Sequence, residues 1–278
     1  MELSETTFDT GEVLLHVTEG PRNGPPLVFL HGATGSGKDW LPFAQHFESA
    51  WHIYLVDERG HGLSGRSPNG VEGYRLSAFA RDAAALLTGL VQEPAVLFGH
   101  SWGALTSLLA APKVENLRAV VAEDPPVLIY RNAPENKPYL EYFRAALAMK
   151  QTALTYAAVL ASLRKMSADD PTPRPESELT AWAENMFHLD PDFLRMVANG
   201  SEPARGIDFR QAFKNIHCPV LLLQADPLQG GCLLDADLAL VQSQAPSARR
   251  VYFPGAGHGI HAERPQEVVK AFEEFIRA

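Results

Sequence analysis

The stretch Ala95-Val96-Leu97-Phe98-Gly99-His100-Ser101-Trp102-Gly103-Ala104-Leu105 decides how the chain is read. Ala95 to Phe98 is a short apolar run of the kind that forms a buried parallel strand. The residues from Trp102 through Thr106, Ser107, Leu108, Leu109 and Ala110 read as a helix. Between them lies Gly-x-Ser-x-Gly. A strand that turns at once into a helix needs one residue in a strained, positive-φ conformation, and here that residue is Ser101. Gly99 and Gly103 flank it because a Cβ at either would strike the adjacent strand and helix. The turn lifts the Ser101 hydroxyl clear of the sheet. It also leaves the Trp102 backbone N–H unpaired at a helix N-terminus, aimed at whatever Ser101 attacks. A serine between glycines is often only a turn; the strand before it and the helix after it favour a nucleophile.

Outward from this point, short apolar runs alternate with helical patterns. Leu27 to Leu30 is a strand ending in His31-Gly32-Ala33-Thr34-Gly35-Ser36-Gly37, and Trp40 to Phe47 reads as a helix. Trp51 to Val56 is the next strand, followed by Asp57-Glu58-Arg59-Gly60-His61-Gly62, and Leu76 to Val91 has helical apolar spacing. Leu117 to Ala122 is a further strand, stopped by Glu123-Asp124-Pro125-Pro126. Glu12 to Thr18 alternates weakly, as an early antiparallel strand would. Alternating strands and helices imply a parallel sheet with crossover helices. The pattern breaks from Val127 to about Phe213, where the chain is helical and aromatic and holds the proline-rich segment 169–175. It resumes at Pro219 to Leu223, continues with a strand at Arg250 to Phe253 and the loop Pro254-Gly255-Ala256-Gly257-His258-Gly259, and closes with a helix from Pro265. The expected organisation is a core of residues 1–126 and 214–278 with a helical cap over 127–213.

The totals describe a soluble globule: 278 residues, 46% hydrophobic and 21% charged. A net charge of −9 argues against nucleic acid or an anionic membrane as partner. The acidic start of the sequence lacks a basic region followed by an apolar one, and no apolar run reaches the length of a membrane span. Cys218 and Cys232 form no metal-type cluster along the chain and read as free thiols, so a cytoplasmic location is expected. No metal spacing and no dinucleotide fingerprint appears, so neither metal nor cofactor is expected. The partner is expected to be a small-molecule substrate, and the protein a monomer or homodimer.

With His31-Gly32, Gly99-His100-Ser101-Trp102-Gly103 and Gly257-His258 read in that order, the chain resembles the α/β-hydrolase family over nearly its whole length. The resemblance implies an α/β fold, a mostly parallel eight-stranded sheet with helices on both faces, and a helical cap after the sixth strand. It implies a base at His258, since a serine hydroxyl is a poor nucleophile until a base removes its proton. It also implies a second oxyanion-hole N–H from the loop after His31: Ala33, with Thr34 as the alternative, paired with the N–H of Trp102. His31 itself reads as a structural brace. A phosphate loop at Gly35-Ser36-Gly37-Lys38 lacks the required spacing. His261 reads as a loop or pocket residue, His100 as a packed neighbour and Arg59 as the salt-bridged anchor of a turn.

The third member of the triad is open at this level. The base needs a carboxylate to fix its tautomer and stabilise the imidazolium. Family members usually carry it three residues beyond a glycine-like turn after the seventh strand, which falls here on Leu228; Asp226 is two residues early. A minority, including some lactone hydrolases and the dehalogenases, carry it after the sixth strand. Counted from Leu117 that position is Asp124, with Glu123 facing the opposite way by strand alternation. Asp124 is the first choice, Asp226 the second and Glu123 the third. Asp226 reads otherwise as a turn residue capping its own loop.

The expected chemistry is hydrolysis of a carboxylic ester or lactone with a hydrophobic moiety through an acyl-enzyme. Trp102 and the cap residues Tyr139, Tyr142, Phe143, Trp182 and Phe187 are expected to bind substrate. The rivals are carbon–carbon bond hydrolysis of a ring-cleavage diketone, a non-catalytic small-ligand receptor on the same scaffold, and an aminopeptidase. Epoxide hydrolase and dehalogenase chemistry is disfavoured, because those relatives use Asp where this chain has Ser101.

Overall fold

A computed structural model describes residues 2–127, 137–168, 173–200 and 202–278. Eight strands form one sheet: β1 (Ser4–Asp9), β2 (Leu14–Glu19), β3 (Pro26–Leu30), β4 (His52–Val56), β5 (Val96–His100), β6 (Ala119–Glu123), β7 (Val220–Gln224) and β8 (Ala248–Tyr252), in the order β1-β2-β4-β3-β5-β6-β7-β8. β1 pairs with β2, and β2 with β4, antiparallel; every later pairing is parallel. β1 carries no clear signal in the sequence, because its residues are half exposed at the sheet edge. β3 to β7 are buried almost throughout, as a parallel sheet covered on both faces requires.

The helices are α1 (Leu41–Ala44), α2 (Leu76–Leu86), α3 (Trp102–Ala110), α4 (Lys137–Thr152), α5 (Tyr156–Ala168), α6 (Glu176–His188), α7 (Pro191–Val197), α8 (Phe209–Lys214), α9 (Asp235–Gln244), α10 (Ile260–Glu263) and α11 (Pro265–Arg277). The helix expected from Trp40 to Phe47 is instead a 3-10 turn at Gly37–Trp40 followed by the single turn of α1, with Pro42 near the start of that turn.

Strand alternation divides the core in two. Leu27, Phe29, Ile53, Leu55, Val96 and Phe98 point to the face covered by α1 and α11, where Trp40, Phe43, Phe47 and Phe272 pack. Val28, Leu30, Tyr54, Val56 and Leu97 point to the other face, against α2 and α3. That second cluster runs on without a break into Phe143, Val159, Met186 and Phe193 of the helices between β6 and β7. Among the described residues that segment holds helices and connecting turns and no strand. Every described helix is too short or too polar to cross a membrane.

The topology determines where a site can form. From β3 the chain moves outward to β4, and from β5 it moves the other way to β6. The loops after β3 and β5 therefore diverge and leave a crevice outside the carboxyl ends of the strands, the usual ligand position in an open α/β sheet.

Candidate active site

Ser101 sits at that crevice with φ 53° and ψ −110°, directly between β5 and α3. Its two glycines have no alternative. A Cβ on Gly99 would lie 2.2 Å from the Gly103 carbonyl oxygen, and one on Gly103 would lie 2.4 Å from the Leu30 carbonyl oxygen. The Gly103 N–H donates to the His31 carbonyl at 3.0 Å, which ties the start of α3 to the loop after β3. Gly32 of that loop faces the serine. A Cβ there would be 3.6 Å from Ser101 Cβ and 2.9 Å from His100 Nδ1. The Ser101 N–H donates to the Glu123 carbonyl at 2.8 Å, so Asp124, the next residue, ends β6 alongside the serine.

Asp124 is fully buried, with φ 47°. Its Oδ1 accepts the N–H groups of Ala225 (3.2 Å) and Leu233 (3.0 Å), and its Oδ2 accepts that of Cys232 (2.6 Å). The remaining donor is His258 Nδ1, at 2.6 Å from Oδ2. This is the pairing expected of Asp124. Burial disfavours the imidazolium, but the bond to Asp124 and the adjacent Cys232 outweigh it, and the His258 pKa is raised. Asp226 makes no described contact with His258. It caps its own turn, accepting the N–H groups of Leu228 and Gly255, each at 2.9 Å. These bonds hold its carboxyl below the usual range.

The two acids at the end of β6 hold two histidines, His258 of the loop after β8 and His261 of α10. Glu123, also fully buried, accepts the His261 N–H at 3.0 Å and His261 Nδ1 at 2.9 Å. The His261 ring stacks on Trp40 with centroids 4.2 Å apart. His261 is thus an anchor rather than a pocket residue, and Glu123 belongs to it and not to His258. His100 joins the two strands of this arrangement. Its Nε2–H donates to the His258 carbonyl at 3.1 Å, and its ring centroid lies 4.7 Å from that of His258. Burial first, then the neighbouring His258, pushes the His100 pKa down to about 3, so it is a neutral packed neighbour.

The bracing residues behave as the sequence suggests. His31 Nδ1 donates to the Gly32 carbonyl at 2.8 Å and its Nε2 accepts the Glu58 N–H at 3.0 Å; burial pushes its pKa down to about 3. Buried Arg59 grips Asp82 with two bonds, at 2.6 and 2.7 Å. The N–H groups of the glycine loop are already taken by carboxylates, Ser36 by Asp39 Oδ2 at 3.0 Å and Gly37 by Asp57 Oδ1 at 2.7 Å, which excludes a phosphate cradle there. Ala33 lies in the loop facing Ser101, and its carbonyl is held by His61 Nε2 at 2.9 Å. Thr34 Oγ1 shares a hydrogen bond with Tyr142 Oη at 3.1 Å, so the loop touches α4, one of the helices between β6 and β7.

The aromatic residues divide. The Trp102 indole, expected to wall a pocket, is fully buried, with centroids 5.0 Å from Phe79 and 5.1 Å from Phe193. Phe143 is likewise core, at 2% exposure, while Tyr139 and Trp182 are partly buried and Tyr142 and Phe187 are exposed at 37% each. Chain spacing did not reveal Cys232. Its loop has no regular period, and only the fold brings its thiol beside Asp124 and His258.

Comparison with known proteins agrees with this fold. The model described as "Alpha/beta hydrolase family" matches residues 27–271. A 2-(acetamidomethylene)succinate hydrolase of Mesorhizobium japonicum is 29% identical, with 97% of this chain and 94% of that protein covered. Epoxide hydrolase A of Mycobacterium tuberculosis is 28% identical, over 98% of this chain and 97% of its own. The crystal structure of an E-2-(acetamidomethylene)succinate hydrolase superimposes with a TM-score of 0.77 at 26% identity, covering 100% of both chains.

Proposed function

The chain belongs to the alpha/beta hydrolase family, and on that premise we propose that it is a serine hydrolase of small carboxylic esters or lactones with a hydrophobic moiety. The observation that carries this reading is a strained serine at the strand-to-helix turn, hydrogen-bonded through its N–H to the Glu123 carbonyl, with the next residue, buried Asp124, bonded by His258 Nδ1 at 2.6 Å.

In this reading Asp124 fixes His258 in the tautomer with hydrogen on Nδ1, leaving Nε2 free to take a proton. Nε2 removes the Ser101 proton as the hydroxyl oxygen attacks the substrate carbonyl carbon. The negative charge that forms on the carbonyl oxygen is received by the backbone N–H groups of Trp102 and Ala33. His258 then returns the proton to the departing alkoxide, which leaves an ester on Ser101. A water, deprotonated by the same Nε2, cleaves that ester and restores the serine. Fixed backbone donors suit this task because they need not reorganise as charge develops.

A second reading has one specific support, the acetamido group in the names of relatives matched over almost their whole length. It makes the scissile bond an N-acyl one, cleaved by the same residues. An epoxide substrate is not favoured despite the relative of that name, because the turn carries Ser101 where direct attack on an epoxide would use a carboxylate. The test is turnover of an aryl acetate, an aliphatic lactone and an N-acyl enamine by wild type and Ser101→Ala. The proposal expects ester or lactone turnover that falls about a thousandfold or more in the variant. Turnover of none of the three, or equal rates in wild type and variant, would overturn it.

A further inference from the structure

Cys232 is drawn to the candidate triad by its own backbone. Its N–H donates to Asp124 Oδ2 at 2.6 Å, the same oxygen that receives His258 Nδ1. Its thiol makes one long contact to the Gly230 carbonyl, at 3.8 Å. One ligand atom from each of Asp124, Cys232 and His258 lies within 4.8 Å of the other two. Asp124 is buried while Cys232 and His258 are partly exposed, so the group has a fixed floor and an open side. Only the backbone of Cys232 is needed to hold Asp124. The thiol adds nothing to acyl transfer, yet it completes a sulfur, nitrogen and oxygen donor set.

We propose that Asp124, Cys232 and His258 form an inhibitory binding site for one thiophilic divalent cation of the Zn2+ type. Thiolate, imidazole and carboxylate are the ligands such a cation prefers, at about 2.0–2.3 Å each. Tetrahedral ligands at those lengths stand about 3.3–3.8 Å apart, within the 4.8 Å spread already present. Binding replaces the proton between His258 Nδ1 and Asp124 Oδ2, opening that contact from 2.6 Å. Bonds form from the metal to Sγ, Nδ1 and Oδ2, and water takes the fourth place. The thiol proton leaves to solvent and the imidazole proton moves to Nε2; nothing is oxidised or reduced. With Nε2 protonated, His258 no longer accepts the proton of Ser101. The inhibitory consequence rests on the serine-hydrolase reading, whereas the cation site does not.

The experiment is a Co2+ titration of chelator-treated protein, followed by Zn2+ competition. The expected result is a thiolate-to-cobalt charge-transfer band that saturates at one Co2+ per chain and is displaced by Zn2+. The band persists in Ser101→Ala and in Cys218→Ser, whose thiol is buried elsewhere, and is lost in Cys232→Ser. In parallel, Zn2+ lowers ester turnover and EDTA restores it. With each protein normalised to its own metal-free rate, Cys232→Ser raises the half-inhibiting Zn2+ concentration about tenfold or more. Should that variant fail to fold, iodoacetamide alkylation of the exposed thiol in folded wild type replaces it, and the band must vanish. A band that survives loss of the Cys232 thiol, no band at all, or equal Zn2+ sensitivity overturns the proposal. If instead Ser101→Ala keeps its turnover while the cobalt band behaves as expected, the serine reading fails and the cation site stands.

Discussion

Asp124→Asn is the most informative single change, because the structure dictates how the amide must sit. Oδ1 accepts two backbone N–H groups, from Ala225 and Leu233, whereas Oδ2 accepts one, from Cys232, together with His258 Nδ1. An amide NH2 in the Oδ1 position faces two donors; in the Oδ2 position it faces one. The introduced side chain therefore turns its NH2 toward His258, and the ring can only accept that hydrogen by moving its own proton to Nε2. The base is then in the wrong tautomer. A carboxylate-to-amide change of this kind in a serine protease triad lowers kcat about 10⁴-fold, and the same loss is expected here. It corresponds to about 5.5 kcal/mol of barrier. The Cys232 N–H left facing the NH2 costs about 1–3 kcal/mol of stability, a melting temperature lower by several degrees. The assay is kcat on an aryl acetate with a thermal melt of each variant. Asp226→Asn, at a half-buried turn cap with no described contact to His258, is expected to stay within about threefold of wild type. Asp124→Asn within tenfold of wild type, with Asp226→Asn inactive, would refute the assignment.

Further outcomes follow from the same geometry. Ser101→Gly relieves the φ of 53° and is expected to stabilise the fold by about 1 kcal/mol, raising the melting temperature while turnover disappears. Gly32→Ala places a methyl 2.9 Å from His100 Nδ1, shifting the ring that holds the His258 carbonyl; kcat should fall about tenfold or more with the melt little changed. The pH profile has a defined sign. His258 works as a base only when neutral, and Asp124 raises its pKa, so kcat/KM falls as pH drops through that pKa, and in Asp124→Asn the acid limb of the residual activity moves to lower pH. For Glu123, burial would raise the carboxyl, but His261 outweighs it and holds the pKa below 4.5. Its contribution to stability is therefore full above that value and lost as pH falls through the folded pKa, and Glu123→Gln should flatten the acid side of a melting profile.

What the sequence discloses and what it hides have separate physical causes. The Ser101 turn is legible because the requirement is local: one positive φ and two positions without room for a Cβ. Asp124 is legible by counting along a strand, since side chains alternate and the neighbouring acid had to face away. That neighbour, Glu123, has a partner the count could not supply, because His261 reaches it from α10, 138 positions further along the chain. Trp102 misleads for the opposite reason. Its place beside Ser101 suggests a pocket wall, but α3 turns its ring inward onto Phe79 and Phe193. Cys232 is silent in the sequence because its place depends on a tertiary contact, an N–H donated to the Asp124 carboxylate from a loop without period. β1 is hidden because an edge strand with half-exposed residues need not alternate cleanly.

The central claim is that Ser101 is a nucleophile activated by His258. Its most direct measurement is reaction with a fluorophosphonate probe, followed by mass spectrometry of the digested protein. The account predicts one adduct per chain, on the peptide containing Ser101, with labelling strongly slowed in His258→Ala and absent in Ser101→Ala. Folded wild-type protein that takes up no label, or carries it on another residue, would contradict it.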